Sequence, residues 1–552
     1  MSLFITISTF LVCTIGVAVY AWYKTKDTKL ETKDGYFLGG RSLTGMVIAG
    51  SLLMTNLSAE QLVGNNGQSV RIGMSPMGWE VTSAVALVIL AYVLMPKYMK
   101  SGLTTIPEFI GERYDSATHK LVSFIVLVSY LIVMLPTILY AGAQVFVSIF
   151  GVDSIFLSMG ATPETARFWA VAALCVAISV VGTLYAVFGG LRAIATSDAV
   201  NGIGLIIGGL MVPVFGLIAL GEAHGGGFSE GVNQFLTIDP HMLNAWDDWN
   251  LNEPYLPWPI LLTGMLVNNL YFWATNQSII QRTFGAKNLE EAQKGVIYAG
   301  FMKIATPLII VIPGIIACFL FPEITDWGNG DIAYPMLVAT VMPKPLLGFF
   351  AAVMFGAILS SYNATLQSAS TIYTLDLHRS IVNKPDMSER DLVMVGKKFG
   401  IIVSVFATVL SPFIFYLSGI TTVVNSAFAA FNTPIFVCLL VGFFWKRVTA
   451  RAAKIVISVH VVLYMLLQFV LKAMIPALAN VHYLYFTAVL FVFDILLMHL
   501  LTKAHPAEQD FELRDAKVVD LHPWSNGKYY ATASLLIMVL AYVVFSPLGI
   551  GQ

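Results

Sequence analysis

Long apolar segments recur along the whole chain, and they limit its possible folds more than any other feature. We place fourteen of them, near residues 3–23, 44–65, 77–95, 121–149, 167–187, 198–220, 258–281, 295–321, 345–376, 399–417, 421–444, 455–472, 480–501 and 529–549. A helix of about 20 apolar residues spans the roughly 30 Å hydrocarbon core of a bilayer. Because a backbone in lipid must satisfy its own hydrogen bonds, such segments are helical. The sequence therefore predicts an all-α integral membrane protein with about fourteen transmembrane helices.

The charge content agrees with this class and excludes several functions. Only 11% of the 552 residues are charged and the net charge is −1, whereas soluble domains carry about 25% charged residues. A chain without a basic or acidic excess presents no surface for nucleic acid. The four cysteines lie far apart in apolar segments without metal-binding spacing, so we interpret them as packing residues. The first apolar segment lacks the basic start and cleavage site of a signal peptide, and we expect it to be retained.

The distribution of basic residues predicts the orientation. If the N-terminus is extracytoplasmic, the loops 24–43, 96–120, 188–197, 282–294, 378–398, 445–454 and 502–528 face the cytoplasm, and they hold 26 of the 31 lysine and arginine residues. Cytoplasmic loops are enriched in lysine and arginine. We therefore expect a multi-pass plasma-membrane protein with both termini extracytoplasmic. None of the connecting segments is long enough for a soluble catalytic domain, so the chemistry or transport has to occur within the helix bundle.

Polar side chains concentrate in the second apolar segment, where an unbroken helix gains nothing from them. They are Ser51, Thr55, Asn56, Ser58, Glu60 and Gln61. A discontinuous helix frees backbone carbonyls for a cation and directs its half-helix ends at a ligand. The alternative is a polar cluster that holds neighbouring helices together.

The seventh segment combines amides with aromatic rings. It contains Asn268, Asn269, Tyr271, Phe272, Trp273, Asn276 and Gln277. This mixture suits a polyhydroxylated ligand, because rings stack on its C–H faces and amides both donate and accept hydrogen bonds. The aromatic residues also fit an interfacial belt, although four amides in mid-segment argue against it.

The ninth segment carries the adjacent hydroxyls of Ser360 and Ser361. Such hydroxyls can supply uncharged oxygen ligands to a monovalent cation, but taken alone they fit helix packing as well. The second, third and eighth segments contain the charged residues Glu60, Glu80 and Lys303. A buried lysine needs a carboxylate or a ligand hydroxyl, and we expect Glu60 or Glu80 to be its partner.

Segments two to six and seven to eleven form two sets of five, each opening with an unusually polar helix. An odd number of helices in each set gives the two sets opposite orientations, which is the layout of LeuT-like 5+5 inverted-repeat transporters. This predicts an extra N-terminal helix and loop (1–43), a first repeat (44–220), an extracytoplasmic loop (221–257), a second repeat (258–444) and additional C-terminal helices (445–552).

Short motifs in one order extend this interpretation over about residues 34–447. They are GYFL (35–38), NLSAEQ (56–61), TIPEF (105–109), GGL (189–191), IQRT (280–283), EAQKG (291–295), SS (360–361) and GFFW (442–445). With this set the chain resembles the sodium:solute symporter family, in particular its bacterial sodium/galactose and animal sodium/glucose members.

The resemblance implies roles for individual residues. Sodium would be bound by the carbonyls of Met54, Leu57 and Ala357 and the hydroxyls of Ser360 and Ser361, and would leave past Asp198. A sugar would be bound by Asn56, Gln61, Glu80, Ser83, Asn269 and Lys303, with Phe272 at the inner gate and Trp79 at the outer gate. The amide and aromatic pattern of the seventh segment adds Tyr271 and Trp273 to the expected solute-binding residues.

Two departures from the family pattern concern the solute. The family's inner-gate tyrosine aligns with Phe272, which keeps the ring and lacks the hydroxyl. A sugar-binding glutamine on the eleventh segment aligns with Ser426, next to Asn425, which could substitute for it.

The resulting expectation is sodium-coupled symport of a hexose or related sugar by alternating access, with one sodium ion per solute. A sugar acid, a polyol or another organic anion is the alternative solute, and coupling to protons through Asp198 or Glu60 stays open. Rings of like residues that would line a channel are absent, and so are HExxH, GxSxG and P-loop motifs of enzymes. We therefore expect no enzymatic activity, no cofactor besides sodium as coupling ion, and no obligate protein partner.

Overall fold

The computed structural model describes residues 2–246, 256–324, 330–382, 387–416 and 420–551. Within these ranges the chain is helical apart from its connections, and the β-structure amounts to one isolated bridge between Leu43 and Ala286. The predicted all-α class is confirmed.

Sixteen helices or half-helices make up the bundle in the described part of the chain. They are α1 (Ser2–Thr25), α2 (Gly45–Asn56), α3 (Ala59–Ile72), α4 (Met77–Ser101), α5 (Ser116–Phe150), α6 (Pro163–Ala223), α7 (Gly264–Ala274), α8 (Gln277–Phe284), α9 (Leu289–Ala305), α10 (Pro307–Leu320), α11 (Lys344–His378), α12 (Glu389–Tyr416), α13 (Ile420–Phe444), α14 (Ala450–Met474), α15 (Tyr483–Ala504) and α16 (Gly527–Val544). Shorter helices lie in the connections at Lys33–Phe37, Gly39–Arg41, Ile106–Arg113, Asp153–Ser158, Phe228–Thr237, Pro240–Leu243, Trp258–Leu262, Pro322–Ile324, Gly330–Ile332, Ala333–Val341, Arg379–Val382 and Pro476–Leu478.

Each predicted apolar segment falls mainly on helical residues. In the described part of the chain, nine helices are long and apolar enough to cross a membrane by length and composition. Two bent pairs, α2 with α3 and α9 with α10, would bring the number to eleven. The count of fourteen spans and the inverted repeat stay predictions.

The fifth and sixth predicted segments lie in one helical run, α6, which changes direction at Gly190. Gly190 has φ 62° and ψ −177°, a backbone conformation that side chains rarely allow. A Cβ atom there would also lie 3.2 Å from the carbonyl oxygen of Tyr36. Glycine therefore lets α6 bend against the segment that precedes α2.

The helices differ in how deeply they are buried. In α11, 78% of the most apolar stretch is buried inside the protein, against 11% in α1. The α1 helix exposes large apolar side chains such as Phe4 and Trp22, as expected for contact with lipid. The α11 helix, which carries Ser360 and Ser361, is therefore central.

The predicted extracytoplasmic loop 221–257 is partly structured. It contains the helix Phe228–Thr237, which packs on the end of α6, and the turn Pro240–Leu243. Residues 247–255 of this loop lie outside the described part of the chain.

Candidate functional site

The second apolar segment breaks where its polar residues begin. The α2 helix ends at Asn56, α3 begins at Ala59, and the two are bent by 59°. The N–H of Ser58 donates to the carbonyl of Asn56 at 2.9 Å instead of reaching back four residues to Met54. The predicted discontinuity is confirmed, and it removes the carbonyl of Met54 from its regular helical pairing.

The two hydroxyls of α11 contact this break. The Ser361 hydroxyl donates to the carbonyl oxygen of Thr55 at 2.9 Å, and the Ser360 hydroxyl lies 3.3 Å from the Thr55 hydroxyl. Ala357 lies one turn before Ser361 and is fully buried. The predicted sodium ligands (Met54, Leu57, Ala357, Ser360 and Ser361) thus lie on two contacting elements and are all at least 97% buried. Their coordination of sodium stays a prediction.

Asp198 lies on α6 beside the two serines, in a buried ionic network. Its Oδ2 accepts hydrogen bonds from the Ser51 hydroxyl at 2.6 Å and from Nη2 of Arg282 at 3.4 Å. Asp198, Ser360 and Asn363 line a small cavity of about 10 Å³. The network joins α2, α6 and α8, and it brings the predicted exit residue next to the predicted ion site. No sequence pattern indicates that Arg282 pairs with Asp198.

A cavity of about 280 Å³ opens beside the break in the second segment. Nine of the twelve predicted solute-binding residues line it: Asn56, Gln61, Trp79, Glu80, Ser83, Asn269, Tyr271, Phe272 and Trp273. Hydrogen bonds hold two of these side chains in place: Asn269 donates to the hydroxyl of Thr82 at 2.7 Å, and Gln61 accepts at 2.9 Å from Asn65, which also lines the cavity.

Lys303 lies behind the wall of the cavity and is not among the residues that line it. Its ammonium group forms an ion pair with Glu80 and a hydrogen bond with Oδ1 of Asn56. The side chain is 99% buried, and Nζ lies 5.8 Å from the ring centroid of Trp273. The expected carboxylate partner is therefore Glu80 and not Glu60. The lysine thus holds two wall residues from different helices. Its predicted direct contact with solute stays a prediction.

The eleventh segment contributes two residues to the cavity among those that the structure describes. Ser426 is buried outside the wall of the cavity, and the side chain of Asn425 lies outside the described residues. Phe428 and Asn432 line the cavity instead. Asn432 lies seven residues after Asn425, which is two turns further along the same face of a helix.

Sequence reasoning also missed the contribution of α5. Six of its residues line the cavity: Ser129, Tyr130, Val133, Met134, Thr137 and Ile138. Five residues of this helix, Tyr130–Met134, form a π-helical turn. A π turn changes which side chains share a face, and apolar periodicity in the sequence gives no signal for it. The polar residues Ser129 and Thr137 were the available hint.

Comparison with known proteins decides the family. A model of the sodium:solute symporter family matches residues 36–458. This chain belongs to that family. It is therefore a multi-pass, sodium-coupled solute symporter and not an enzyme, and sodium is its coupling ion.

Similar proteins cover nearly the whole symporter. The uncharacterized symporter YidK of Escherichia coli is 39% identical over 98% of this chain and 91% of its own length. A sodium/glucose cotransporter of Vibrio parahaemolyticus is 29% identical over 87% of this chain and 88% of its own. A solved sodium-coupled sialic acid symporter in a substrate-bound outward-open state gives a TM-score of 0.73 at 19% identity, covering 92% of this chain and 99% of that one. That likeness confirms the predicted LeuT-like fold class.

The charged side chains that line this symporter's cavity are acidic. Among the described residues no lysine, arginine or histidine lines it, and its two acidic residues are Glu60 and Glu80. Glu80 is neutralised by Lys303, whereas Glu60 has no ion pair in the described part of the chain. The indole N–H of Trp273 also lacks a hydrogen-bond partner there. No group of three His, Cys, Asp or Glu residues that could hold a metal ion occurs among the described residues.

Proposed function

We propose that this symporter carries a hexose or a related uncharged sugar inward across the plasma membrane together with one sodium ion, by alternating access. The observation that carries the proposal is the composition of the cavity wall. Amides, hydroxyls and aromatic rings face the cavity, and no cationic side chain among the described residues does. Hydroxyl-rich solutes need donors, acceptors and flat apolar surfaces more than they need charge.

The cavity size limits the solute. Its 280 Å³ lies at the lower end of the range of about 300–1,000 Å³ for ligand pockets. The volume therefore suits a monosaccharide or cyclic polyol better than a larger solute. Two relatives named for such solutes support this, the Vibrio sodium/glucose cotransporter and a sodium/myo-inositol cotransporter of Sus scrofa, which is 28% identical over 86% of this chain.

A sugar acid is the second candidate, because the solved structure described above is that of a sodium-coupled sialic acid symporter, and sialic acid is anionic. The cavity wall argues against it here. A carboxylate would face the unpaired Glu60, and the nearest buried lysine, Lys303, is already neutralised by Glu80. Like charges in a site of low dielectric constant repel strongly.

Coupling follows from the contact between α2 and α11. A sodium ion held by the carbonyls at the break and by the hydroxyls of Ser360 and Ser361 would fix the end of α2. Asn56, the last residue of α2, lines the solute cavity. Sodium binding would thus order a solute-binding residue, and by linkage the solute would tighten sodium binding equally. A site of hydroxyls and carbonyls has no group that could exchange protons instead.

The driving force is sufficient for accumulation. One positive charge that moves inward through 100 mV releases about 2.3 kcal/mol. Because 1.4 kcal/mol corresponds to about a tenfold concentration ratio, the potential alone supports about fortyfold accumulation. Sodium would leave toward Asp198 and Arg282, and the solute past Phe272, on the side of the basic loops.

Thermal stabilisation of the purified full-length protein tests the proposal. Hexoses, myo-inositol, a hexuronic acid and sialic acid are screened with and without sodium. We expect a hexose or inositol to raise the melting temperature in sodium and much less in choline. Stronger stabilisation by an acid would overturn the uncharged solute, and equal shifts in both salts would overturn sodium coupling. In proteoliposomes the ratio of charge to solute flux should be near one; a ratio near two would reject the stoichiometry.

A further inference from the structure

The seventh segment is broken like the second, between Ala274, which ends α7, and Gln277, which begins α8. Two tyrosines from neighbouring helices hold the two sides of this break. Tyr98 of α4 donates its hydroxyl to the carbonyl of Ala274 at 2.7 Å. Tyr130 of α5 donates its hydroxyl to Oδ1 of Asn276 at 2.6 Å. Each half-helix is thus tied to a different neighbour.

The bond from Tyr130 acts on the first turn of α8. Asn276 caps that turn, since its Oδ1 accepts from the N–H of Ser278 at 3.1 Å and from the Ser278 hydroxyl at 2.8 Å. The hydroxyl of Tyr130 accepts from the same N–H at 3.1 Å. Because Tyr130 completes this cap, its position and that of α8 depend on each other.

The two tyrosines differ in their relation to the cavity. Tyr130, Asn276 and Ser278 all line it, whereas Tyr98 is buried in the core and does not. Beyond α8 lies the basic loop 282–294, which is cytoplasmic in the proposed orientation. The bond between Tyr130 and Asn276 therefore lies at the end of the cavity that faces the cytoplasm in the proposed orientation.

Two further features are consistent with a Tyr130–Asn276 hydrogen bond that breaks during transport. Tyr130 begins the π-helical turn Tyr130–Met134, a local departure from the α-helical pattern that is frequent at functional sites. Phe272, which faces the same cavity, has no hydroxyl with which to close this end.

We propose that Tyr130 is the inner-gate latch of this symporter, a positioning residue that acts through Asn276. While the bond holds, α8 closes the cavity toward the cytoplasm; when it breaks, α5 and α8 separate and the cavity opens inward. This inference rests on the proposed alternating access and orientation, but not on the identity of the solute.

The test measures sodium alone, so that it does not depend on finding the solute. Full-length protein in proteoliposomes is assayed for entry of radioactive sodium without any solute. Tyr130→Phe keeps the ring and removes the hydroxyl, and we expect about fivefold faster solute-independent entry, the factor that corresponds to one buried hydrogen bond. Tyr98→Phe is the matched control, which loses a bond of similar length and should leave this leak unchanged. Thermal stability in sodium is measured for both variants.

A second variant covers the case in which Tyr130→Phe does not fold. Serine can still cap α8 in Asn276→Ser but is too short to reach Tyr130. It should leak like Tyr130→Phe, and the double variant should leak no more than either single one. A folded Tyr130→Phe or Asn276→Ser with wild-type leak, or a Tyr98→Phe that leaks equally, would overturn the latch. Failure of the solute screen alone would leave this result intact.

Discussion

The Ser361 hydroxyl on α11 donates a 2.9 Å hydrogen bond to the carbonyl oxygen of Thr55, one residue before the end of α2. The bond joins the ninth apolar segment to the break in the second. Since Asn56 follows Thr55 directly and lines the solute cavity, the bond places Ser361 two residues from a residue of the cavity wall.

Ser361→Ala should raise the sodium concentration for half-maximal solute uptake by about tenfold or more, because a proposed sodium ligand and its bond to the break are both lost. Ser368→Ala is the matched control. That serine lies on the same helix but donates to Gln281 at 2.9 Å, away from the break. Sodium titration of uptake in proteoliposomes compares them, and unchanged sodium activation in Ser361→Ala would contradict the site.

Lys303→Met should destabilise the protein by about 3–5 kcal/mol, because Glu80 is left buried without its counter-charge. Thermal unfolding in detergent measures this loss. The double variant Lys303→Met with Glu80→Gln should recover most of the stability, since no buried charge remains unpaired. Its solute affinity should stay weak, because Asn56 is no longer held by the ammonium group. A single variant as stable as the wild type would show that the ion pair is not formed.

Glu60→Gln should change the charge selectivity of the cavity. Affinity for an uncharged sugar should stay within about threefold, whereas a hexuronic acid should bind about tenfold more tightly once the repulsion is removed. Competition against uptake of the uncharged sugar measures both. Gln61→Ala, one residue along the same wall, is the contrasting variant and should weaken the uncharged sugar itself. Equal effects of Glu60→Gln on both solutes would refute the electrostatic role of this residue.

Asn432→Ala tests which residue of the eleventh segment contributes to solute binding. Because Asn432 lines the cavity and Ser426 does not, the loss of the amide should lower solute affinity about fivefold to tenfold. Ser426→Ala should leave it within about twofold. Solute-induced thermal stabilisation distinguishes the two, and the reverse ranking would favour the alignment with the family over the structure.

The break at Asn56 could be predicted because its cause is local. A run of hydrogen-bonding side chains in the middle of an apolar segment is costly in lipid unless backbone and side chains turn toward a site. The same reasoning identified the amides and rings around Asn269 and the hydroxyls of Ser360 and Ser361. Each of these residues now lies at the cavity or at the break.

Relations between helices could not be predicted in this way. By sequence alone, Glu60 and Glu80 were equally good partners for Lys303. The way α4 and α9 pack against each other pairs the lysine with Glu80. The same packing places Lys303 behind the residues that line the solute cavity. On α13, packing brought Asn432 to the cavity, a contribution that the sequence pattern did not indicate.

The sequence by itself determined the helical class, the membrane environment, the polar break and the kinds of side chain offered to an ion and a solute. These follow from the cost of unsatisfied polar groups in lipid, which acts on each segment separately. Only the tertiary structure decided which groups meet. The bonds from Tyr130 to Asn276 and from Arg282 to Asp198 join residues 146 and 84 positions apart, and such contacts depend on how whole helices pack, which no local pattern contains.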